Sequence, residues 1–237
     1  MPTRRVFRLC SCLAVVWLVA ACGGAGAPEE GRAARALAPA ATLPVETGAA
    51  DRGPLVVALG DSLTAGLGLE AEEAYPALLE RQLRDEGYVV RVVNAGVSGD
   101  TTAAGLRRAE WSLAGDVRVL IVALGGNDGL RGLPVDQMKR NLAEVLSMAE
   151  TRDIGVLLAG MEAPPNFGAR YTAEFREAFR QLAAEHDVEF MPFLLAGVAG
   201  DPSLNQSDGI HPTAEGAVIV AAAVRQALEP LLHRLRG

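Results

Sequence analysis

Cysteine is nearly absent from this sequence and is confined to its start: of 237 residues only Cys10, Cys12 and Cys22 are cysteines. Everything downstream must fold without a disulfide or a thiolate zinc site. Histidine is almost as scarce, with three residues. Neither an HExxH motif nor a paired-histidine cluster occurs, which disfavours a metal hydrolase. Positive charge is not in excess either: 22 basic residues stand against 29 acidic ones, a net charge of −7, so nucleic acid is not an expected partner. Aromatic residues make up 5% of the chain while half of it is hydrophobic. The core is therefore largely aliphatic, and the length suits one such core, not two. The apolar stretch Leu9–Ala21 is shorter than the roughly twenty residues that a membrane-crossing helix needs.

That stretch reads instead as a signal peptide, residues 1–21, because Arg4, Arg5 and Arg8 form a basic head before the apolar run Leu13–Ala20. The run Val19-Ala20-Ala21-Cys22 resembles the lipobox of bacterial lipoproteins. It implies diacylglycerol on Cys22 and a place in the bacterial cell envelope, facing the periplasm or the exterior. Two or more acyl chains give stable anchoring where one does not. Arg4-Arg5 also has a twin-arginine look, and the export route stays open. Residues 22–53 are Ala-, Pro-, Gly- and Glu-rich with almost no large apolar side chains, a composition expected of a flexible tether. The folded domain is then 54–237, expected as a monomer.

Within the domain, short apolar β-rich runs alternate with longer amphipathic ones, the signature of a parallel sheet covered by helices on both faces. Strands are expected at Leu55–Leu59, Val89–Val93, Val117–Leu124, Ile154–Ala159 and Val188–Phe190. Helices are expected at Ala74–Glu86, Thr102–Leu113, Val135–Thr151, Thr172–His186 and Thr213–Leu235. In the third helix Val135, Met138, Leu142, Val145, Leu146 and Ala149 recur at helical spacing and form a core face. The fold class is three-layer α/β/α with a five-stranded, mainly parallel sheet.

Polar clusters follow three of the strands: Gly60-Asp61-Ser62-Leu63-Thr64, Asn94-Ala95-Gly96-Val97-Ser98-Gly99-Asp100 and Gly125-Gly126-Asn127-Asp128. A fourth, Asp208-Gly209-Ile210-His211-Pro212, precedes the last helix. In doubly wound folds such strand ends converge on one crevice. A serine hydroxyl is a poor nucleophile until an imidazole accepts its proton, and a carboxylate fixes the imidazole's tautomer. His186 and His233 sit at helix ends, where solvated or capping side chains are common, leaving His211 as the base candidate. Asp61, adjacent to Ser62, reads as a structural hydrogen-bonding residue. The backbone N–H groups of Ser62 and Gly96 and the carboxamide of Asn127 are candidate oxyanion donors, though Gly96 and Asn127 equally suit turns.

The ordered contexts GDSLTAG, NAGVSGDTT, LGGNDGLRG and DGIHP resemble the four blocks of the SGNH (GDSL-like) hydrolases. They are most similar to the bacterial thioesterase I/lysophospholipase L1/arylesterase branch, which implies a flavodoxin-like fold. The resemblance implies Ser62 as nucleophile, His211 as base, Asp208 as its partner, and Ser62, Gly96 and Asn127 as oxyanion donors. Asn166, in APPNFG, fits the branch's substrate loop. Also implied are a small acyl ester or thioester substrate, lysophospholipid among the options, and no cofactor or metal. The α/β-hydrolases are the near rival, but their G-x-S-x-G elbow is missing. The same residues would also serve a carbohydrate acetyl esterase of the envelope, and a tethered chain also suits a non-catalytic lipid-anchored binding protein.

Overall fold

The computed structural model describes residues 53–236. The expected signal peptide, Cys22 and nearly all of the expected tether lie outside the described residues. The domain is a five-stranded parallel sheet: β1 (Leu55–Gly60), β2 (Arg91–Gly96), β3 (Val117–Ala123), β4 (Gly155–Ala159) and β5 (Glu189–Met191), in the order β2-β1-β3-β4-β5. The helices are α1 (Ser62–Ala65), α2 (Tyr75–Asp85), α3 (Thr102–Ser112), α4 (Gly126–Leu130), α5 (Val135–Thr151), α6 (Ala169–Glu185) and α7 (Ala214–Ala227). Helix α2 packs against α7, while α3, α5 and α6 pack side by side as a second layer. This is the expected three-layer α/β/α fold.

The inner strands read as continuous apolar runs because both their faces are covered. In β3, VRVLIVA, only Arg118 is exposed. The edges differ. Strand β2 is only half buried, and it runs three residues past its expected end, because Asn94, Ala95 and Gly96 continue the ladder opposite Ala58, Leu59 and Gly60 of β1. The long C-terminal helix expected over 213–235 is interrupted. Pro230 has no N–H to continue the ladder, so α7 gives way to a 3-10 turn over Glu229–Leu235. Helix α6 begins three residues early, where Gly168, at φ +89°, turns the chain into it. The short helices α1 and α4 have no counterpart in the helical periodicity; both begin directly at strand ends.

On α6, Tyr171, Phe175 and Phe179 stand four residues apart and therefore share a face. Their ring centroids are 6.1 and 5.5 Å apart, and Phe167 extends the row at 5.4 Å from Tyr171. Three glycines of α4 and its flanks rest on this row. A Cβ on Gly125, Gly129 or Gly132 would come within 2.9 Å of Phe179, 3.0 Å of Phe175 and 2.5 Å of Phe167. The absence of side chains at 125, 129 and 132 lets the turn that bears Asn127 lie flat on the aromatic face. Phe179 is 1% exposed, so Phe179→Ala is expected to cost about 3–5 kcal/mol of folding stability. Urea denaturation of the purified domain checks this.

Candidate active site

The strand order reverses direction between β1 and β3, and crevices at that point take ligands in doubly wound sheets. Ser62 is the first residue of α1, two positions past the end of β1, and Asn127 is the second residue of α4, just past β3. His211 lies 149 residues after Ser62, and its Nε2 is 2.8 Å from Ser62 Oγ. Its Nδ1 is 2.6 Å from Asp208 Oδ2.

Asp208 also accepts the backbone N–H groups of Ile210 at 2.9 Å and His211 at 3.0 Å through Oδ1. The His211 N–H, the imidazole and the Ile210 N–H together lower its pKa to about 2. An ionised carboxylate can only accept. Nδ1 of neutral His211 therefore carries the proton, and Nε2 accepts from the Ser62 hydroxyl. The three side chains make an activated hydroxyl: serine to imidazole to carboxylate.

The loop that holds His211 is closed on itself. Gln206 N–H donates to the His211 carbonyl at 2.7 Å, and Thr213 N–H donates to the Leu204 carbonyl at 2.9 Å. The Gln206 carboxamide reaches across to the Leu67 carbonyl at 2.7 Å and the Pro212 carbonyl at 2.9 Å. Gln206 thus ties the imidazole's loop to the chain leaving α1. Nothing in the sequence singles it out, since glutamine in a polar loop has no distinguishing pattern.

Asp61 is 2% exposed and serves two neighbours. Oδ1 accepts the Leu63 N–H at 3.0 Å, capping α1, and Oδ2 accepts one carboxamide N–H of Asn127 at 3.2 Å. This is the structural part expected of it, and it leaves the second Asn127 N–H free. Asp128 is also buried. It accepts the N–H and hydroxyl of Thr102 at 2.8 and 2.7 Å and so joins α4 to the start of α3.

One expectation needs correction. The N–H of Gly96 donates to Asn94 Oδ1 at 2.9 Å. Val97 N–H turns to β1, bonding the Gly60 carbonyl at 3.0 Å. By strand alternation the Gly96 N–H therefore points to the open edge of the sheet, away from Ser62. Gly96 is a packing residue: a Cβ there would fall 2.2 Å from the Ala65 nitrogen, so α1 could not sit on β2. Within the same loop Gly99, at φ +85°, holds Arg131 through its carbonyl at 3.0 Å, and its own N–H has no hydrogen-bond partner among the described residues. Asn166 is exposed on the 3-10 turn Pro165–Phe167. The groove beside Ser62 is lined from that segment by Ala163, Pro164 and Pro165 instead.

That groove has a volume of about 410 Å³ and opens onto Ser62, His211 and Asn127. Leu63, Leu130, Met161, Phe193, Leu195 and Ile210 supply its apolar walls. Neither His186 nor His233 takes part. His186 caps α6, and His233 Nδ1 donates to the Pro230 carbonyl at 2.9 Å.

Burial raises the pKa of Asp61 to about 6, against the opposing pull of the Leu63 N–H, the Asn127 carboxamide and the nearby His211. A carboxyl group raised on folding favours the folded state in acid, and that contribution is lost as pH rises through about 6. The shift corresponds to about 3 kcal/mol. Asp61→Asn removes this titration. Relative to the wild type, the stability of the variant is expected to improve by that order between pH 4 and pH 7.5, read by urea denaturation at each pH.

The GDSL-like Lipase/Acylhydrolase family model matches residues 58–219, more than half of the chain. The chain is 43% identical to "Esterase TesA" of Pseudomonas aeruginosa over 75% of its own length and 89% of that protein. It is 38% identical to "Thioesterase 1/protease 1/lysophospholipase L1" of Escherichia coli K12, over 74% and 83%. Among solved structures, the SGNH-hydrolase family esterase AlinE4 superposes with a TM-score of 0.64 at 45% identity, covering 76% of this chain and 97% of that one. A strand-end serine, an imidazole within hydrogen-bonding distance and a carboxylate three residues before that imidazole stand where the family model runs, and the chain belongs to the GDSL-like lipase/acylhydrolase family.

Proposed function

We propose that the protein hydrolyses carboxylic esters and thioesters of a single acyl chain through an acyl-enzyme on Ser62. The observation that carries this reading is the 2.8 Å contact between Ser62 Oγ and a His211 whose far nitrogen is held by Asp208. As Ser62 Oγ bonds to the acyl carbon, its proton passes to His211 Nε2 and the carbonyl oxygen becomes an oxyanion. Collapse breaks the bond to the leaving alkoxide or thiolate, which takes the proton from His211. Water then repeats both steps, giving its proton to His211 on attack. Ser62 Oγ departs with that proton and the free acid is released.

The Ser62 N–H and the free Asn127 N–H supply two oxyanion donors. We infer that the third is the N–H of Gly99, because that of Gly96 is spent on Asn94. Removing one such donor typically lowers kcat by about 10²–10³. Asn127→Ala is therefore expected to lose kcat on that scale with little change in KM, measured on p-nitrophenyl butyrate, while remaining folded. A folded Asn127→Ala enzyme with near-normal kcat removes the residue from the mechanism. Ser62→Ala is expected to abolish both turnover and labelling by an organophosphonate.

The substrate reading rests on the groove's apolar walls, of which Leu130 and Ile210 are exposed. The names of the relatives, esterase and lysophospholipase among them, fit one acyl chain on varied leaving groups. Turnover across a panel of acyl lengths and leaving groups ranks these substrates.

Cys22 is read as the lipidated mature N-terminus, which places the enzyme in the cell envelope. Cys22→Ser is expected to move the protein from the membrane to the soluble fraction and leave its activity intact. Retention on membranes after that change counts against the anchor.

A further inference from the structure

Arg108 lies midway along α3, outside the four sequence blocks, and its side chain is only 21% exposed. It makes three short hydrogen bonds in three directions. Nη2 donates to the Gly60 carbonyl, Nη1 to the Ala95 carbonyl and Nε to Asp100 Oδ2, each at 2.7 Å. The acceptors are not a random set. Gly60 closes β1 and is two residues before Ser62. Ala95 is the next-to-last residue of β2. Asp100 follows Gly99 and precedes Thr101, whose hydroxyl caps α3.

The Gly60 carbonyl belongs to the peptide group that leads directly into Asp61, and the orientation of that group sets where the Ser62 N–H and Oγ point. The same carbonyl accepts Val97 N–H at 3.0 Å, so its lone pairs are fully used. At its own start α3 is pinned to Asp128, the neighbour of Asn127, through Thr102. One rigid helix thus grips the turn of the nucleophile through Arg108 and the turn of Asn127 through Thr102. Only a planar fork of five N–H donors reaches two backbone carbonyls and a carboxylate at once, whereas a lysine ammonium is a single point.

We propose that Arg108 is a positioning residue for catalysis: by clamping Gly60, Ala95 and Asp100 together, it sets the spacing between the Ser62 hydroxyl and the oxyanion donors. This rests on the reading of Ser62 as the nucleophile. Misplacement by about 1 Å far from the chemistry can cost on the order of 10²-fold in rate.

The test compares Arg108→Ala, Arg108→Lys and Asp100→Asn with wild type in steady-state hydrolysis of p-nitrophenyl butyrate, with labelling of Ser62 by a phosphonate followed alongside. Arg108→Ala is expected to lower kcat by about 10²-fold with KM nearly unchanged, and to slow labelling in parallel. Added guanidinium ion, far below denaturing concentration, is expected to restore part of the rate to that variant and none to wild type. Arg108→Lys, keeping the charge and losing the fork, is expected to remain impaired. If Arg108→Ala does not fold, Asp100→Asn decides, with kcat expected to fall about tenfold at constant KM as the charge-assisted bond to Arg108 Nε is weakened.

A folded Arg108→Ala or Asp100→Asn enzyme with unchanged kcat overturns the proposal. So does a variant that is less stable but fully active per folded molecule. Ser62→Ala separates the two layers. If it still turns over, the nucleophile assignment has failed; if it is dead while the Arg108 and Asp100 variants run normally, only the positioning proposal has failed.

Discussion

Strand β1 is hydrogen-bonded on both sides, to β2 and to β3, and the whole site follows from that double pairing. The chain leaves β1 and β3 on short helices, α1 and α4, that start at once, so Ser62 and Asn127 are delivered side by side although they are 65 positions apart. The bond between Asp61 and Asn127 closes the gap between the two turns. His211 then needs only to come over the top, and its loop does so pre-closed by its own backbone hydrogen bonds and by Gln206.

The residues of the site divide by how exposed they are. Asp61 is buried and resists ionisation, whereas Asp208 is 45% exposed on its side chain and ionises readily because three hydrogen-bond donors face it. The exposed carboxylate suits a residue that must stay charged beside an imidazole throughout a catalytic cycle. The buried one suits a residue that must not move. The two aspartates differ in environment more than in chemistry, and that difference separates a partner for the base from a brace for the turn.

Much of this is legible in the sequence, since apolar runs and helical periodicity locate five strands and most helices to within a few residues. The order of Ser62, Asn127, Asp208 and His211 in polar clusters points to one crevice. What escapes is anything whose meaning lies in a close approach. Gly96 reads as a donor because it sits in a polar cluster after a strand; in three dimensions it is the flat place on which α1 rests. Nothing in the sequence ties Gly125 and Gly129 to Phe179 and Phe175 of α6, the rings against which they lie. Arg108 and Gln206 give no signal because their acceptors are mostly main-chain carbonyls, which every residue possesses. Pro230 is a visible helix breaker, but the apolar periodicity around it masks the break.

All five strands run the same way, so β1 begins at the edge of the sheet opposite the one where Ser62 sits, and the described chain enters there at Gly53. A solid support, a bead or an electrode film coupled ahead of Gly53 would meet the domain at the pole away from the groove. In a biocatalytic reactor the bound enzyme would then present its open mouth to the flowing liquid.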